Sequence, residues 1–325
     1  MRVLLTGVTG TCGGYLLDWV RWIRRAEKTE ARRVLQEATI RVAVRTEEKA
    51  AAFRAMAEVD EVVVMDLTNP ESCKEAVRGV DRFFIVLTIV LNCMEMAENI
   101  FAAIKSEAPD AEMIVKIAEW VRLESFFETV FYQTELKLEA RVEELMGPGR
   151  VTRLHPTNFM QNFDKFFGFK DQVAKGGSFS LGWEDKPATF VEGKDIARAA
   201  CYCLSLPLAQ AKEEGIIGGT YTLSSVLMNG VEACKIFSEV LGKEIEYKPL
   251  TPAEMDKRRV GTAPDWVNHV LLKLDEAIVV GGGGFAEVFP DVTDFIAKGS
   301  ALGLWDAPAR PYTFKEYVEN NKDRF

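Results

Sequence analysis

Arg2-Val3-Leu4-Leu5-Thr6-Gly7-Val8-Thr9-Gly10-Thr11-Cys12-Gly13-Gly14 opens the chain, and its reading decides the fold. Val3 to Leu5 is a short apolar run, as a strand buried on both faces shows. It stops at Thr6-Gly7. Glycines then recur as Gly7-x-x-Gly10-x-x-Gly13, and an amphipathic stretch follows from about Tyr15 to Arg25. A strand, a tight glycine turn and a helix in that order make a phosphate-binding βα unit. Gly7 lets the chain turn, Gly10 lets backbone approach a pyrophosphate, and Gly13 lets the helix pack on the strand. Thr9, Thr11 and Cys12 lie in the same loop, where free N–H groups of the helix start face the anion. The plainer alternative is a glycine turn that packs a helix and binds nothing. Its place directly after an N-terminal strand favours a dinucleotide site, so replacing Gly10 or Gly13 should abolish binding and spare the fold.

Alternating signals continue through the first half. Strands are expected over 39–45, 61–65, 82–87, 113–117 and 151–154. Helices are expected over 15–37, 47–57, 70–77, 94–106 and 124–146, the last stopped by Gly147-Pro148-Gly149. This is the α/β pattern of a Rossmann-type doubly wound parallel sheet. Beyond residue 156 the regularity loosens into a smaller C-terminal α+β part. The division is an NAD(P)-binding domain over 1–155 and a substrate-binding part over 156–325. The boundary is soft, because later strands of such folds often return to the sheet.

The chain has 325 residues, 48% apolar and 27% charged, the balance of a soluble globular protein. A net charge of −9 argues against nucleic acid as a partner. No apolar run approaches the ~18 residues of a membrane span. The first strand starts at residue 2 and leaves no room for a secretory segment. Six cysteines are scattered without a disulfide pattern and read as reduced thiols, so a cytoplasmic location is expected. Cys201-x-Cys203 points in two directions from one helix and reads as core. Cys12 stands where a helix dipole favours the thiolate, so it is a candidate for oxidation when the loop is empty. With two histidines only, His155 and His269, a zinc site or a Ser-His-Asp triad has almost no material. No metal is expected.

The second strand ends at Arg45, with Lys49 one turn into the next helix. The end of this strand faces the adenosine ribose. An acid there suits the 2′-hydroxyl of NAD, whereas Arg accommodates the 2′-phosphate of NADP. The pair favours NADP(H) over NAD(H), and solvated charges are the plainer alternative. Asp66-Leu67 closes the third strand, where a carboxylate can accept from the adenine amino group; a helix cap is the alternative. Thr88 ends the fourth strand, and Lys116 stands near the end of the fifth, on the nicotinamide side. All lie at carboxyl ends of parallel strands, where open α/β sheets place ligands.

Several segments together resemble the NmrA-like group of atypical short-chain dehydrogenases/reductases. They are the Thr6-Gly7-x-Thr9-Gly10-x-x-Gly13 loop, Arg45-x-x-x-Lys49, Asp66-Leu67-Thr68-Asn69-Pro70, Pro156-Thr157-Asn158-Phe159-Met160-Gln161-Asn162-Phe163, Phe190-Val191-Glu192-Gly193-Lys194-Asp195 and Arg310-Pro311-Tyr312-Thr313-Phe314. The likeness spans nearly the whole chain. It implies that Pro156 and Asn158 face the cofactor. Tyr221, Tyr247 to Met255 and Leu274-Asp275 are similar to the festuclavine-dehydrogenase branch of ergot-alkaloid enzymes, which reduce an iminium with NADPH.

One departure matters. Classical short-chain dehydrogenases use Ser, Tyr and Lys, with Tyr-x-x-x-Lys on one helix face. Here Tyr132 and Lys137 are five apart, and Ala118-Glu119-Trp120 follows the fifth strand without a serine. The group implied by the resemblance contains NADPH-dependent reductases and catalytically silent NADP(H) sensors. The expected function is reduction of a small apolar acceptor of iminium, enone or quinone type; the alternative is a redox sensor. An iminium is already cationic and needs no general acid. A quinone or enone would want a donor, with Tyr132, Lys137 and Glu119 as the candidates. Trp120, Phe126, Phe127, Phe131, Phe159, Phe163, Phe166, Phe167 and Phe169 could wall an apolar pocket, although core packing explains most of them.

Overall fold

The computed structural model describes residues 1–87, 92–118, 130–261, 264–280 and 287–325, without the side chains of 130–132. The strands of the first half are β1 (Arg2–Leu5), β2 (Thr39–Val44), β3 (Glu61–Val64), β4 (Arg82–Val86), β5 (Met113–Ile117) and β6 (Val151–Pro156). Those of the second half are β7 (Asn158–Phe159), β8 (Ser178–Phe179), β9 (Ala188–Val191), β10 (Thr220–Leu223), β11 (Val226–Met228) and β12 (Glu246–Tyr247). Seven of them form one sheet in the order β3-β2-β1-β4-β5-β6-β10, every neighbouring pair parallel. The order reverses between β1 and β4, which opens a crevice beyond their carboxyl ends. The expected doubly wound sheet is present, and β10 returns to it from the second half.

Helices α1 (Thr11–Arg25), α2 (Arg33–Glu37) and α3 (Glu47–Arg54) cover one face. Helices α4 (Pro70–Val77), α5 (Cys93–Glu107) and α6 (Val130–Met146) cover the other. Side chains of β1 alternate between them. Val3 and Leu5 enter the first core and Leu4 the second, which is why the strand is apolar from Val3 to Leu5.

The second half adds α7 (Asn162–Lys165), α8 (Phe169–Gly176), α9 (Gly193–Ser205), α10 (Leu208–Glu213), α11 (Gly230–Leu241), α12 (Pro252–Arg259), α13 (Asp265–Val279), α14 (Asp291–Ala301) and α15 (Phe314–Glu319). Strands β11-β9-β7 form a small sheet, and β12 pairs with β8. Helix α9 packs between α1 and α14 and is buried on nearly every side, so most of its residues are small or apolar. Cys201 and Cys203 are core there, as expected. Inside α9, the fully buried pair Asp195–Arg198 fastens the C-terminal arm. Arg198 donates to the carbonyls of Pro308 (2.7 Å) and Arg310 (3.0 Å), and Asp195 accepts from the Tyr312 amide (2.8 Å). An aromatic core of Phe163, Phe167, Phe169, Phe179, Phe190 and Phe237 fills the second half.

The helix expected over 15–37 is two helices. It breaks at Ala26, because Glu27 to Glu30 offer nothing apolar to bury. The Gln36 side chain then bridges the carbonyls of Ile23 and Ala26 (3.0 Å each), satisfying the end of α1. Of the helix expected over 124–146, the described part begins at Val130.

Candidate functional site

The glycine loop sits at the carboxyl end of β1, clamped to β4. Thr6 donates its amide to the Phe84 carbonyl (3.0 Å), and its hydroxyl accepts from the Val86 amide (2.9 Å). Gly7 turns the chain with φ +65°, where a Cβ would lie 3.0 Å from Val86 Cβ. A Cβ on Gly13 would fall 2.4 Å from the carbonyl carbon and oxygen of Gly7 and 2.6 Å from Thr6 O, so α1 rests directly on strand backbone. A Cβ on Gly10 meets only Gly7 O, at 3.3 Å, and otherwise open space. The loop therefore has a sealed inner side at Gly13 and an open outer side at Gly10. No side chain caps the start of α1, and its first turn carries no acid. Gly13 corrects the sequence expectation: any side chain there would disturb the fold itself.

Cys12 is 6% exposed and packs in the first core, so burial rather than reactivity marks it. Thr9 and Gly10 are exposed and Thr11 half-buried.

At the end of β2, Arg45, Thr46 and Lys49 are exposed. Thr46 caps α3 by accepting from the Lys49 amide at 3.4 Å. Nearby cations are matched, Arg41 to Glu61 and Arg54 to Glu47. Among the described residues, the side chains of Arg45 and Lys49 form no ion pair or hydrogen bond. Asp66 accepts from the amide (2.9 Å) and hydroxyl (2.8 Å) of Thr68, which hold its carboxyl below the ordinary value with a smaller contribution from Arg45. It stands after β3 as expected, but the cap of α4 is Asn69. Leu67 is half-buried, and its carbonyl accepts from Asn99 (2.9 Å). Thr88 lies outside the described residues.

The opposite end is formed where β6 runs into β7. Pro156 is buried, and Asn158 donates from Nδ2 to the Thr189 carbonyl (3.2 Å), tying β9 to the sheet edge. Lys116 is 1% exposed, and its ammonium is committed to Glu135 (3.0 Å) and Glu139 of α6. Arg153 joins the same cluster through Glu139. Against the pull of burial, Lys116 and Arg153 hold the Glu139 carboxyl at about 2. The Lys116 side chain thus fastens α6 to β5 instead of reaching the crevice. Lys137 is exposed on α6, beside Met94, Glu98 and Arg141. Tyr132 lies within α6 but its side chain, like Glu119, Trp120, Phe126 and Phe127, is outside the described residues. Of the aromatic set, Phe163, Phe167 and Phe169 are core, Phe159 packs partly buried against the first core, and Phe166 is 66% exposed.

The structure adds four residues to this picture. Glu192 caps α9 by accepting from the Lys194 amide, and it accepts from Gln161 Nε2 at 2.9 Å. Gln161 Oε1 accepts in turn from the Gly193 amide (3.2 Å), and the Gln161 side chain lies beside the Tyr15 phenol of α1. Lys165 of α7 donates to Thr11 Oγ1 at 2.9 Å. Tyr15, Glu192 and the segment that carries Gln161 and Lys165 are remote from one another, and no spacing in the sequence joins the three.

Glu192 is 2% exposed, and burial with the adjacent Asp195 pushes its carboxyl up to about 7. The raised folded value means that the native state holds a proton which the unfolded chain releases near 4.5. This contribution to stability is full below pH 4.5 and is lost as pH rises through 7. Between pH 5 and pH 8 the wild type should lose roughly 2–3 kcal/mol more stability than Glu192→Gln, read from the melting temperatures of the two proteins. Equal effects at both pH values would contradict it.

Among the described residues, no group of three or more His, Cys, Asp or Glu could hold a metal ion. Among them also, no helix is long and apolar enough to cross a membrane.

The model of the NmrA-like family matches residues 1–317. An NAD(P)H azoreductase of Xenophilus azovorans is 21% identical over 273 residues, 80% of this chain and 80% of its own length. Triphenylmethane reductase of Citrobacter sp., solved with NADP(H), superposes with a TM-score of 0.74 at 20% identity, covering 98% of this chain and 99% of its own. Nmra, a negative transcriptional regulator solved with NAD, superposes with a TM-score of 0.67 at 15% identity, covering 98% and 94%. At these identities the two structures are likenesses of fold.

Proposed function

The chain belongs to the NmrA-like family, and from that premise we propose that it is an NADPH-dependent reductase of a small apolar acceptor. The observation that carries this reading is the pairing of a sealed Gly13 with an open Gly10 at an uncapped helix start. That cradle fits a pyrophosphate, and a Cβ at Gly10 would fill it. Gly7, Thr9, Gly10, Thr11 and Gly13 hold the pyrophosphate. Arg45 and Lys49 hold a 2′-phosphate, Asp66 and Leu67 border the adenine, and Pro156 and Asn158 border the nicotinamide side. The bound cofactor supplies a hydride. The chain's own residues fix its position and keep the acceptor against it, which is most of what hydride transfer requires.

Relatives named for azo and triphenylmethane reduction support a conjugated acceptor. Within that class the reading is an iminium-type acceptor. Lys116 is committed to carboxylates and Lys137 is exposed, so neither is presented as a buried proton donor. A cationic acceptor makes such a donor unnecessary. Tyr132→Phe is then expected to lower kcat less than about tenfold. A positioned general acid would cost about 10²–10⁴-fold, and a loss of that size with unchanged NADPH affinity would contradict the iminium reading. The six cysteines, all buried and none in a disulfide, suit a cytoplasmic location.

The second reading is an NADP(H) sensor without turnover, favoured by the likeness to the regulator Nmra. Steady-state NADPH oxidation against quinones, enones, azo dyes and iminium compounds separates the two. Turnover on any of them supports the reductase; tight NADPH binding with no turnover on all of them supports the sensor.

A further inference from the structure

We propose that Lys165 is a further cofactor-positioning residue, closing over the dinucleotide pyrophosphate from the second half of the chain, opposite the glycine loop. The inference rests on the NADPH reading above. Lys165 is the last residue of α7, and its ammonium lies 2.9 Å from Oγ1 of Thr11, the first residue of α1. Thr11 is held in place from behind. Its methyl lies where a Cβ on Gly193 would come within 2.5 Å, so the start of α9 fences that side.

The electrostatics point to an anion between these groups. The N-terminus of α1 carries about half a positive charge. Its first turn has no acid to offset this. An exposed ammonium is then placed on the hydroxyl at that same end. The carboxylate next to Lys165 is turned to Arg324, which donates to Asp164 Oδ2 at 3.2 Å. Among the described residues Lys165 forms no ion pair. Two positive groups brought together without a counter-charge, one residue from the open side of Gly10, suit a doubly charged pyrophosphate. Lysine is the point-charge ligand for such a group. Because α7 follows directly on β7 and Asn158, cofactor binding would also fasten the segment that borders the nicotinamide side.

The test is calorimetric titration of the full chain with NADPH, NADH and adenosine 2′-phosphate, the last lacking a pyrophosphate. Lys165→Met should raise the Kd of both dinucleotides alike, by about tenfold. It should leave adenosine 2′-phosphate unchanged, and Lys165→Arg should stay within about threefold of wild type. Lys165 is exposed, so the melting temperature should not move. Unaltered dinucleotide affinity in Lys165→Met, with wild type binding normally, would overturn this inference alone. A parallel loss of adenosine 2′-phosphate would overturn it too, since the lysine would then act on the field of the whole site. Wild-type protein that binds neither dinucleotide would bring down the reductase reading, and this inference with it.

Discussion

Gly10→Val should lose NADPH binding by a hundredfold or more while keeping a native circular-dichroism spectrum. Its backbone angles, φ −104° and ψ −176°, are open to any residue. The added side chain meets only Gly7 O, at 3.3 Å from Cβ, so the loop gives by a few tenths of an ångström. The rest of the valine would occupy the space left for the pyrophosphate, at the end where the helix amides converge. Losing an anion site of this kind removes several charge-assisted hydrogen bonds together. Gly13→Ala is the contrasting partner. Its Cβ would collide with backbone at 2.4 Å, and backbone cannot swing aside as a side chain can. That variant should lose about 2–4 kcal/mol of stability, read as a shift of the urea midpoint. A Gly10→Val protein that binds NADPH normally would contradict the phosphate-loop reading. An unshifted midpoint in Gly13→Ala would contradict the packing described for α1 on β1.

The second large effect concerns cofactor choice. Arg45 and Lys49 are exposed at the end of β2, and among the described residues neither side chain is paired. Their neighbours Arg41 and Arg54 each have a carboxylate. Two free cations at the ribose end should favour NADPH over NADH by about tenfold to a hundredfold, from one or two charge-assisted bonds. The double variant Arg45→Ala/Lys49→Ala should abolish the preference by weakening NADPH alone. Glu47 bears on this: it is occupied by Arg54, so it does not neutralise Arg45. Equal affinities in the wild type, or a double variant that keeps its preference, would show these to be ordinary solvated charges.

The sequence carried the sheet because local signals sufficed for it. Val3 to Leu5, Thr39 to Val44 and Met113 to Ile117 are mainly apolar runs, interrupted only by Thr39, Arg41 and Lys116, and each became a parallel strand. The turn at Gly7 and the close seat of α1 at Gly13 were legible from the glycine spacing, because the first needs a positive φ and the second leaves no room for a Cβ. The break of the first helix was not, since it depends on Gln36 reaching back to the end of α1. Nor was the fate of Lys116, whose partners Glu135 and Glu139 lie on a helix that only the fold brings over β5.

The residues on which a festuclavine-type branch was expected have local structural roles, and the comparisons do not bear that branch out. Asp275 is buried, accepting from the Trp183 indole (2.7 Å) and pairing with Arg259 (2.6 Å). Tyr247 donates to the Glu184 carbonyl (2.7 Å), and Thr251 with Glu254 forms a capping box. These residues hold the second half together. The array of Tyr15, Gln161 and Glu192 shows the same limit, because its members meet only when α9 packs on α1.

Hydride transfer from NADPH to a small conjugated acceptor is the step on which the proposed function stands. Its most direct test is turnover with NADPH carrying deuterium at the transferable C4 position, with mass analysis of the product. With an iminium or enone acceptor the product should carry one deuterium bound to carbon, formed by wild type and not by Gly10→Val. Tight NADPH binding with no deuterated product from any iminium or enone, and no NADPH oxidation by azo dyes or quinones, would contradict it.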